Sequence, residues 1–227
     1  MNLTTIEKFL LLAKDPVKPR FSISDLQLHH ALIGMLFLEL SKQNAISQEN
    51  EKIVLNNDFK SDDPVLNDMF KTLNRSRRIR RLRTWIIKLS SKAPKYKRTF
   101  LEDMQSKGLV RIEVKTIMGF ISYSRIYLEK PEIRDELIKD LRTAVLQEKE
   151  LTAEMLVLLA MTEACRMHRI FVSERKDIKL FKAKLKNIIK DSPVANDVER
   201  SIKQVQRAII AAITVSTAAA AAASSRR

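Results

Sequence analysis

Glycine is scarce in this chain, with only Gly34, Gly108 and Gly119 among 227 residues. Tight hairpins and strained turns draw on glycine, so so few of them argue against a multi-stranded β architecture and leave helices to dominate. A Gly-rich phosphate loop is excluded for the same reason. Cysteine is scarcer still: Cys165 stands alone, no intrachain disulfide can form, and a reducing cytoplasmic compartment is expected. Three histidines, His29, His30 and His168, are too few for a His-rich metal site. Cys165 and His168 share a helical face at i, i+3 but lack the second ligand pair that zinc requires. Neither G-x-S-x-G nor H-E-x-x-H occurs. Glu39 and Glu163, inside apolar helices, suit packing partners for a nearby Arg better than catalytic acids. The expectation is a protein that is not an enzyme and needs no cofactor or metal.

Long hydrophobic runs are missing too. The nearest thing to a membrane span, the uncharged stretch at residues 208–223, has 16 residues, fewer than the roughly 20 of a spanning helix, and is rich in alanine. It reads as a terminal helix packed on the core, with an alanine-rich tail over 209–227 that frays. The N-terminal apolar run at 9–13 is short and followed by Lys14 and Asp15, so no secretion signal is expected.

Acid is absent where base is most abundant. Residues 69–101 hold twelve Lys and Arg and no Asp or Glu, while the other 30 basic residues face 27 acidic ones. The formal charge of +15 is therefore local, and such a surface attracts phosphate on lipid head groups or nucleic acid. Within it, Ile79, Leu82, Trp85, Ile86 and Leu89 fall on one helical stripe, with Arg77, Arg80, Arg81, Arg83, Lys88 and Lys92 on the other side. This predicts an amphipathic helix from about Arg78, stopped by Pro94, with Lys95, Lys97 and Arg98 extending the cationic surface.

What remains reads as one mainly α-helical domain, 1–227, large enough for a single core. Thr4 and Glu7 form a capping box for a helix over 5–14. Ser24 and Gln27 open a helix whose interior, 31–40, is apolar nearly all round and therefore buried. Residues 48–63 are polar, with a short β-like stretch at 53–55. A helix follows at 65–73. A short helix at 100–106 ends at Gly108, suited to a left-handed cap. Residues 109–114 and 120–128 alternate in polarity and are rich in β-branched and aromatic residues, predicting a projecting β-hairpin over about 109–128. Its tip, 116–120, is apolar, and Ile117, Met118 and Phe120 are candidates for membrane insertion or an oligomer contact. Helices then follow from Pro131, over 152–169, along the Ile178, Phe181, Leu185 and Ile188 stripe, and from about Val194.

Three uses of the basic surface compete. One is a plain solvated face. A second is nucleic acid, since a helix and then a hairpin resembles a winged-helix reader, although Glu102 and Asp103 lie on that helix. The third is an anionic membrane, where each Lys or Arg adds about 1 kcal/mol and an inserted apolar side chain about 1.5–3 kcal/mol. A basic patch plus an apolar tip supplies the two signals that firm attachment needs. The same tip would also serve a homo-oligomer or a protein adaptor.

Five segments in order, IEKFLLLAKD at 6–15, HALIGMLFLELSKQNAI at 30–46, SDDPVLNDMFKTL at 61–73, TWIIKLS at 84–90 and LEDMQSKGLVRIE at 101–113, resemble the Golgi phosphoprotein three family of peripheral membrane proteins along almost the whole chain. The resemblance implies a mostly helical domain with an apolar hairpin used in membrane contact and self-association. It implies phosphatidylinositol 4-phosphate binding at the cytosolic face, through a pocket of one tryptophan and three arginines. By ungapped matching those positions are Ser24, Ile33, Pro94 and Lys97 here, of which only Lys97 is charged; Lys95 and Arg98 stand beside it as substitutes. The chain starts near the family core, without the long N-terminal tail of the eukaryotic adaptors. It therefore looks more like a bacterial relative, without support for coatomer binding. Trp85 matches a family tryptophan and reads as a packing residue.

Overall fold

The structure is a computed structural model that describes residues 2–49, 51–56, 59–76, 78–117, 121–147, 151–191 and 197–224. In chain order its elements are α1 (Thr5–Ala13), α2 (Asp25–Lys42), β1 (Ile46–Glu49), β2 (Lys52–Leu55), α3 (Pro64–Asn74), α4 (Leu82–Leu89) and α5 (Ala93–Ser106). They continue with β3 (Val110–Ile117), β4 (Ile121–Leu128), α6 (Pro131–Leu146), α7 (Ala153–Ala164), a 3-10 turn (His168–Ile170), α8 (Arg175–Asp191) and α9 (Asp197–Ser224). The fold is mainly α, with two antiparallel two-stranded sheets, β1-β2 and β3-β4, among the described residues. Contacts divide the chain into two compact units, Met1–Asp25 with Lys97–Ser192 and Leu26–Tyr96 with Pro193–Arg227.

In the first unit α1 packs on α6 and α7, and α8 packs on α6, α7 and the 3-10 turn. The predicted capping box is present: Thr4 Oγ1 accepts from the Glu7 amide and Glu7 Oε2 accepts from the Thr4 amide, so two orphan donors are satisfied at once. Glu7 is fully buried and its other oxygen accepts from Lys107 Nζ at 2.7 Å. α5 ends as predicted on Gly108, whose φ of 66° lets its amide reach Gln105 O and the Leu109 amide reach Met104 O. The chain then enters the hairpin, paired from Val110↔Leu128 to Ile117↔Ile121.

α7 is shorter than predicted. It stops at Ala164 because Arg166 takes a left-handed φ of 57°, with its amide on Glu163 O and the Met167 amide on Thr162 O. The same closure ends α2 at Asn44, φ 55°. Neither position is glycine, so neither stop is visible to a reading that looks for glycine.

In the second unit the interior of α2 is buried as expected, with half-buried Glu39 the exception over residues 31–40. α3 begins at Pro64 under an Asp63 cap that accepts from the Val65 and Leu66 amides. The polar stretch after α2 is a full hairpin, β1-β2, rather than one β-like strand and a loop. α9 packs on α4, and its Ile202, Val205, Ile209 and Ala212 are buried, Val205 and Ile209 against Gly34 of α2. It does not fray at the alanines: the helix continues to Ser224, as alanine's high helical propensity allows. The segment Arg200–Ser224 is long and apolar enough to cross a membrane by length and composition, and 17% of its apolar window is buried. The predicted helix start near Val194 lies outside the described residues.

Candidate functional site

The acid-free segment departs from the predicted helix at its first half. α4 begins at Leu82, with Arg81 as an extended N-cap that makes no side-chain cap bond. The residues before it run along β2: Ile53 donates its amide to Arg80 O at 3.0 Å, Leu82 donates to Glu51 O at 3.2 Å, and Lys52 and Arg81 form an antiparallel bridge. An open strand edge must satisfy its backbone groups, and the Arg80-Arg81 segment does so here in place of a helical turn. Ile79 consequently leaves the predicted stripe and is 67% exposed, whereas Leu82, Trp85, Ile86 and Leu89 are buried as the pattern requires.

This geometry gathers cations around Trp85. The Arg80 guanidinium and the Lys88 ammonium each lie 5.5 Å from the Trp85 ring centroid. Arg78, Arg81, Arg83 and Lys88 are exposed. Arg80 Nε is buried without a hydrogen-bond partner. Arg81 Nε stands 3.6 Å from Glu51 Oε2, an exposed pair worth little. Arg80 thus faces Trp85 and Arg81 faces Glu51, while Arg77 lies outside the described residues. A groove of about 200 Å³ opens beside them, lined by Ile53, Leu55, Leu73, Arg78, Ile79 and Trp85 among others.

Pro94 does not stop a helix but starts one, in the first turn of α5, where its missing N–H costs nothing. Around Lys95 the organising residue is Asp68, on α3. Its Oδ2 accepts from the Tyr96 hydroxyl at 2.6 Å and Lys92 Nζ at 3.2 Å, and Lys95 Nζ lies 3.6 Å from Oδ1. The Tyr96 hydrogen bond, then those from Lys92 and the nearby positive charges, hold the Asp68 carboxyl below the usual carboxylate range. Sequence reasoning passed over Asp68, although it is the last acid before the acid-free segment.

In the first unit Lys97 Nζ lies 3.2 Å from Asp25 Oδ1 and 5.6 Å from the Phe21 ring centroid. Arg98 Nε donates to Glu102 Oε1 at 2.7 Å. Of the six residues expected at the head group, Lys95, Lys97 and Arg98 therefore each have a carboxylate neighbour, as Arg81 has in Glu51. Of the positions matched to the family pocket, Ile33 is fully buried in α2, and Ser24 and Pro94 are exposed. None of Lys95, Lys97 and Arg98 lines the groove beside Trp85.

The hairpin's base is anchored by Val110 and Ile126, which are buried. Farther out both strands are exposed, with Val114 67% exposed and Tyr123 37%. Arg111 lies 4.8 Å from the Tyr127 ring and pairs with Glu129 at 2.8 Å; Arg125 lies 5.7 Å from Tyr123. Met118 and Phe120 are outside the described residues, and the backbone of Ile117 is the last pair of the ladder. Catalytic chemistry gains nothing from Cys165, whose burial pushes its thiol up to about 12.

With that geometry in hand, the sequence matches the model of the family described as Golgi phosphoprotein 3 (GPP34) over residues 6–205, a span that enters both units. No curated protein matches the chain significantly.

Proposed function

This chain belongs to the Golgi phosphoprotein 3 family, and on that premise we propose that it is a non-enzymatic peripheral membrane protein of the cytosolic face that binds anionic, phosphorylated lipid head groups. The observation that carries the reading is the cationic segment at Trp85: Arg80 and Lys88 lie over its ring, Arg78 lines the same groove, and Arg81 and Arg83 beside them in sequence are exposed, with Glu51 the carboxylate within ion-pair reach of Arg81. Such a surface contributes about 1 kcal/mol per cation near an anionic leaflet, and several together give useful affinity. Arg77, Lys95, Lys97 and Arg98 extend it in sequence, with Lys97 and Arg98 available once Asp25 and Glu102 are displaced by phosphate. The hairpin supplies the second signal: Ile117, Met118 and Phe120 insert, or meet the same tip of a second copy, beyond strands whose outer halves are already exposed.

Vesicle co-sedimentation tests this. Binding to phosphatidylcholine vesicles should be weak, and rise at least tenfold when phosphatidylserine or a phosphoinositide is included. Reversing Arg80, Arg81 and Arg83 to Glu should abolish that rise. Indifference to anionic lipid together with salt-sensitive binding to duplex DNA would replace the reading with nucleic-acid recognition by the same surface.

A further inference from the structure

A second site lies in the first unit, away in sequence from every residue of the proposed lipid surface. α6 presents Arg134, Ile138, Arg142 and Leu146 at i, i+4, i+8 and i+12, with Lys139 on the adjoining row. These side chains and Phe171 bound a cleft of about 520 Å³, in the range of small-molecule sites. Phe171 is fixed by stacking on Phe181, with centroids 4.9 Å apart and rings 22° from parallel. One wall of the cleft is therefore a rigid apolar surface.

The charged side is unusual. Arg134 is 6% exposed, yet its Nε has no hydrogen-bond partner, and its Nη1 donates at 3.3 Å to Asp135, whose own side chain is exposed. A buried guanidinium with an unused donor is costly unless something accepts from it. A second buried cation, Lys14, sits close enough for its charge to be felt. Burial, with a contribution from Arg134, pulls the Lys14 ammonium down to about 8. Lys14 spends its donors on three carbonyls, those of Asp15 at 2.9 Å, Lys18 at 2.5 Å and Arg20 at 2.8 Å, so it adds field and offers the cleft no hydrogen bond. Lys139 and Arg142 stand exposed at the rim, and Asp135 is the carboxylate among the lining residues.

We propose that this cleft binds a small organic phosphate: the phosphoryl group is held by Arg134 with Lys139 and Arg142, and an apolar substituent lies on Ile138, Leu146 and Phe171. A guanidinium fork matches phosphate oxygens in pairs, and phosphate tolerates a third cation at its remaining oxygen. A carboxylate would leave one of the three cations unused. The phosphoryl group can belong to a soluble monoester or to a lipid, and the two are separable by experiment.

The test uses the full chain, with calorimetry and NMR of the arginine Nε–Hε groups. Probes are inorganic phosphate, phenyl phosphate and monomeric dihexanoylphosphatidic acid. Phenyl phosphate should bind one site per chain about tenfold more tightly than inorganic phosphate, since the ring buries apolar surface. The Arg134 Nε–Hε resonance should move on titration. Lys139→Ala and Arg142→Ala, both at exposed positions, should each weaken binding roughly tenfold while the fold is unchanged. Preference for dihexanoylphosphatidic acid assigns the site to lipid phosphate, and preference for phenyl phosphate assigns it to soluble monoesters. The proposal is overturned if neither organic probe saturates by about 10 mM, if the Arg134 resonance stays still, or if both variants bind like the parent. The Arg80, Arg81 and Arg83 reversal should leave this site intact, so its failure is distinguishable from failure of the membrane reading.

Discussion

Asp68 shows how one carboxylate tempers a cationic surface. It accepts from Tyr96 and Lys92 and stands beside Lys95, so two of the twelve cations of the acid-free segment are partly neutralised by a residue just outside it. Its pKa is depressed in the folded chain, chiefly by the Tyr96 hydrogen bond. The stabilisation it brings is therefore complete above the unfolded pKa, about 3.9, and is lost as pH falls through the lower folded value. Asp68→Asn should cost about 1–3 kcal/mol of stability, because Lys92 and Tyr96 lose a charged acceptor, and should remove this acid-limb dependence. It should also strengthen binding to anionic vesicles several-fold, since Lys92 and Lys95 become available at about 1 kcal/mol each. Denaturant melts at pH 3 to 7, paired with vesicle titrations, read both effects. Unchanged or weaker vesicle binding would mean that these lysines do not face the membrane.

Among elements, the contact between α2 and α9 is sharply constrained at Gly34. A Cβ placed on Gly34 would lie 2.4 Å from Ile209 Cδ1, 2.8 Å from Ile209 Cγ1 and 3.0 Å from Val205 Cγ1. Gly34→Ala should therefore destabilise by about 1–3 kcal/mol despite alanine's better helical propensity, and amides 205–212 should exchange faster. Adding Ile209→Ala makes room, so the double variant should be clearly less unstable than the two single costs summed. Gly34 carried no such signal in sequence, because a close approach depends on which helix arrives there. Local features were legible: Thr4 with Glu7, the apolar interior of α2, and the alternation of β3 and β4 each fix their element within a few residues, and Gly108 fixes the end of α5 but not its start at Ala93. The misplaced boundaries share a different cause. Arg166 and Asn44 close helices in left-handed backbone without glycine, and Arg80-Arg81 leaves the helical pattern to pair with β2, a non-local bond that no periodicity reports. The candidate site inherits that limit. Its charge was visible in composition, whereas Asp68, Asp25 and Glu102 as partners of Lys95, Lys97 and Arg98 appear only once the chain is folded.

For the molecule as a whole, a formal charge of +15 concentrated in one segment and a long apolar terminal helix suggest two different attachments to a membrane, and salt separates them. Charge attraction across water decays over a Debye length of about 8 Å at physiological ionic strength and about 3 Å at 1 M, so a charge-held protein is released by salt. An anchor that places apolar surface in hydrocarbon is not. α9 would have to leave α2 and α4 and expose Ile202, Val205, Ile209 and Ala212 to span a bilayer, whereas residues 217–224 are exposed already. Truncation after Ser216 should thus change stability by no more than about 0.5 kcal/mol. It should leave vesicle binding at low salt nearly unchanged, reduced only by the charges of Arg226 and Arg227. Both proteins should leave anionic vesicles as salt rises, with the residual fraction at 1 M set by the hairpin and removed by Ile117→Ser, Met118→Ser and Phe120→Ser together. Retention of the full chain at 1 M salt that disappears on truncation, with the hairpin intact, would instead assign the apolar attachment to α9.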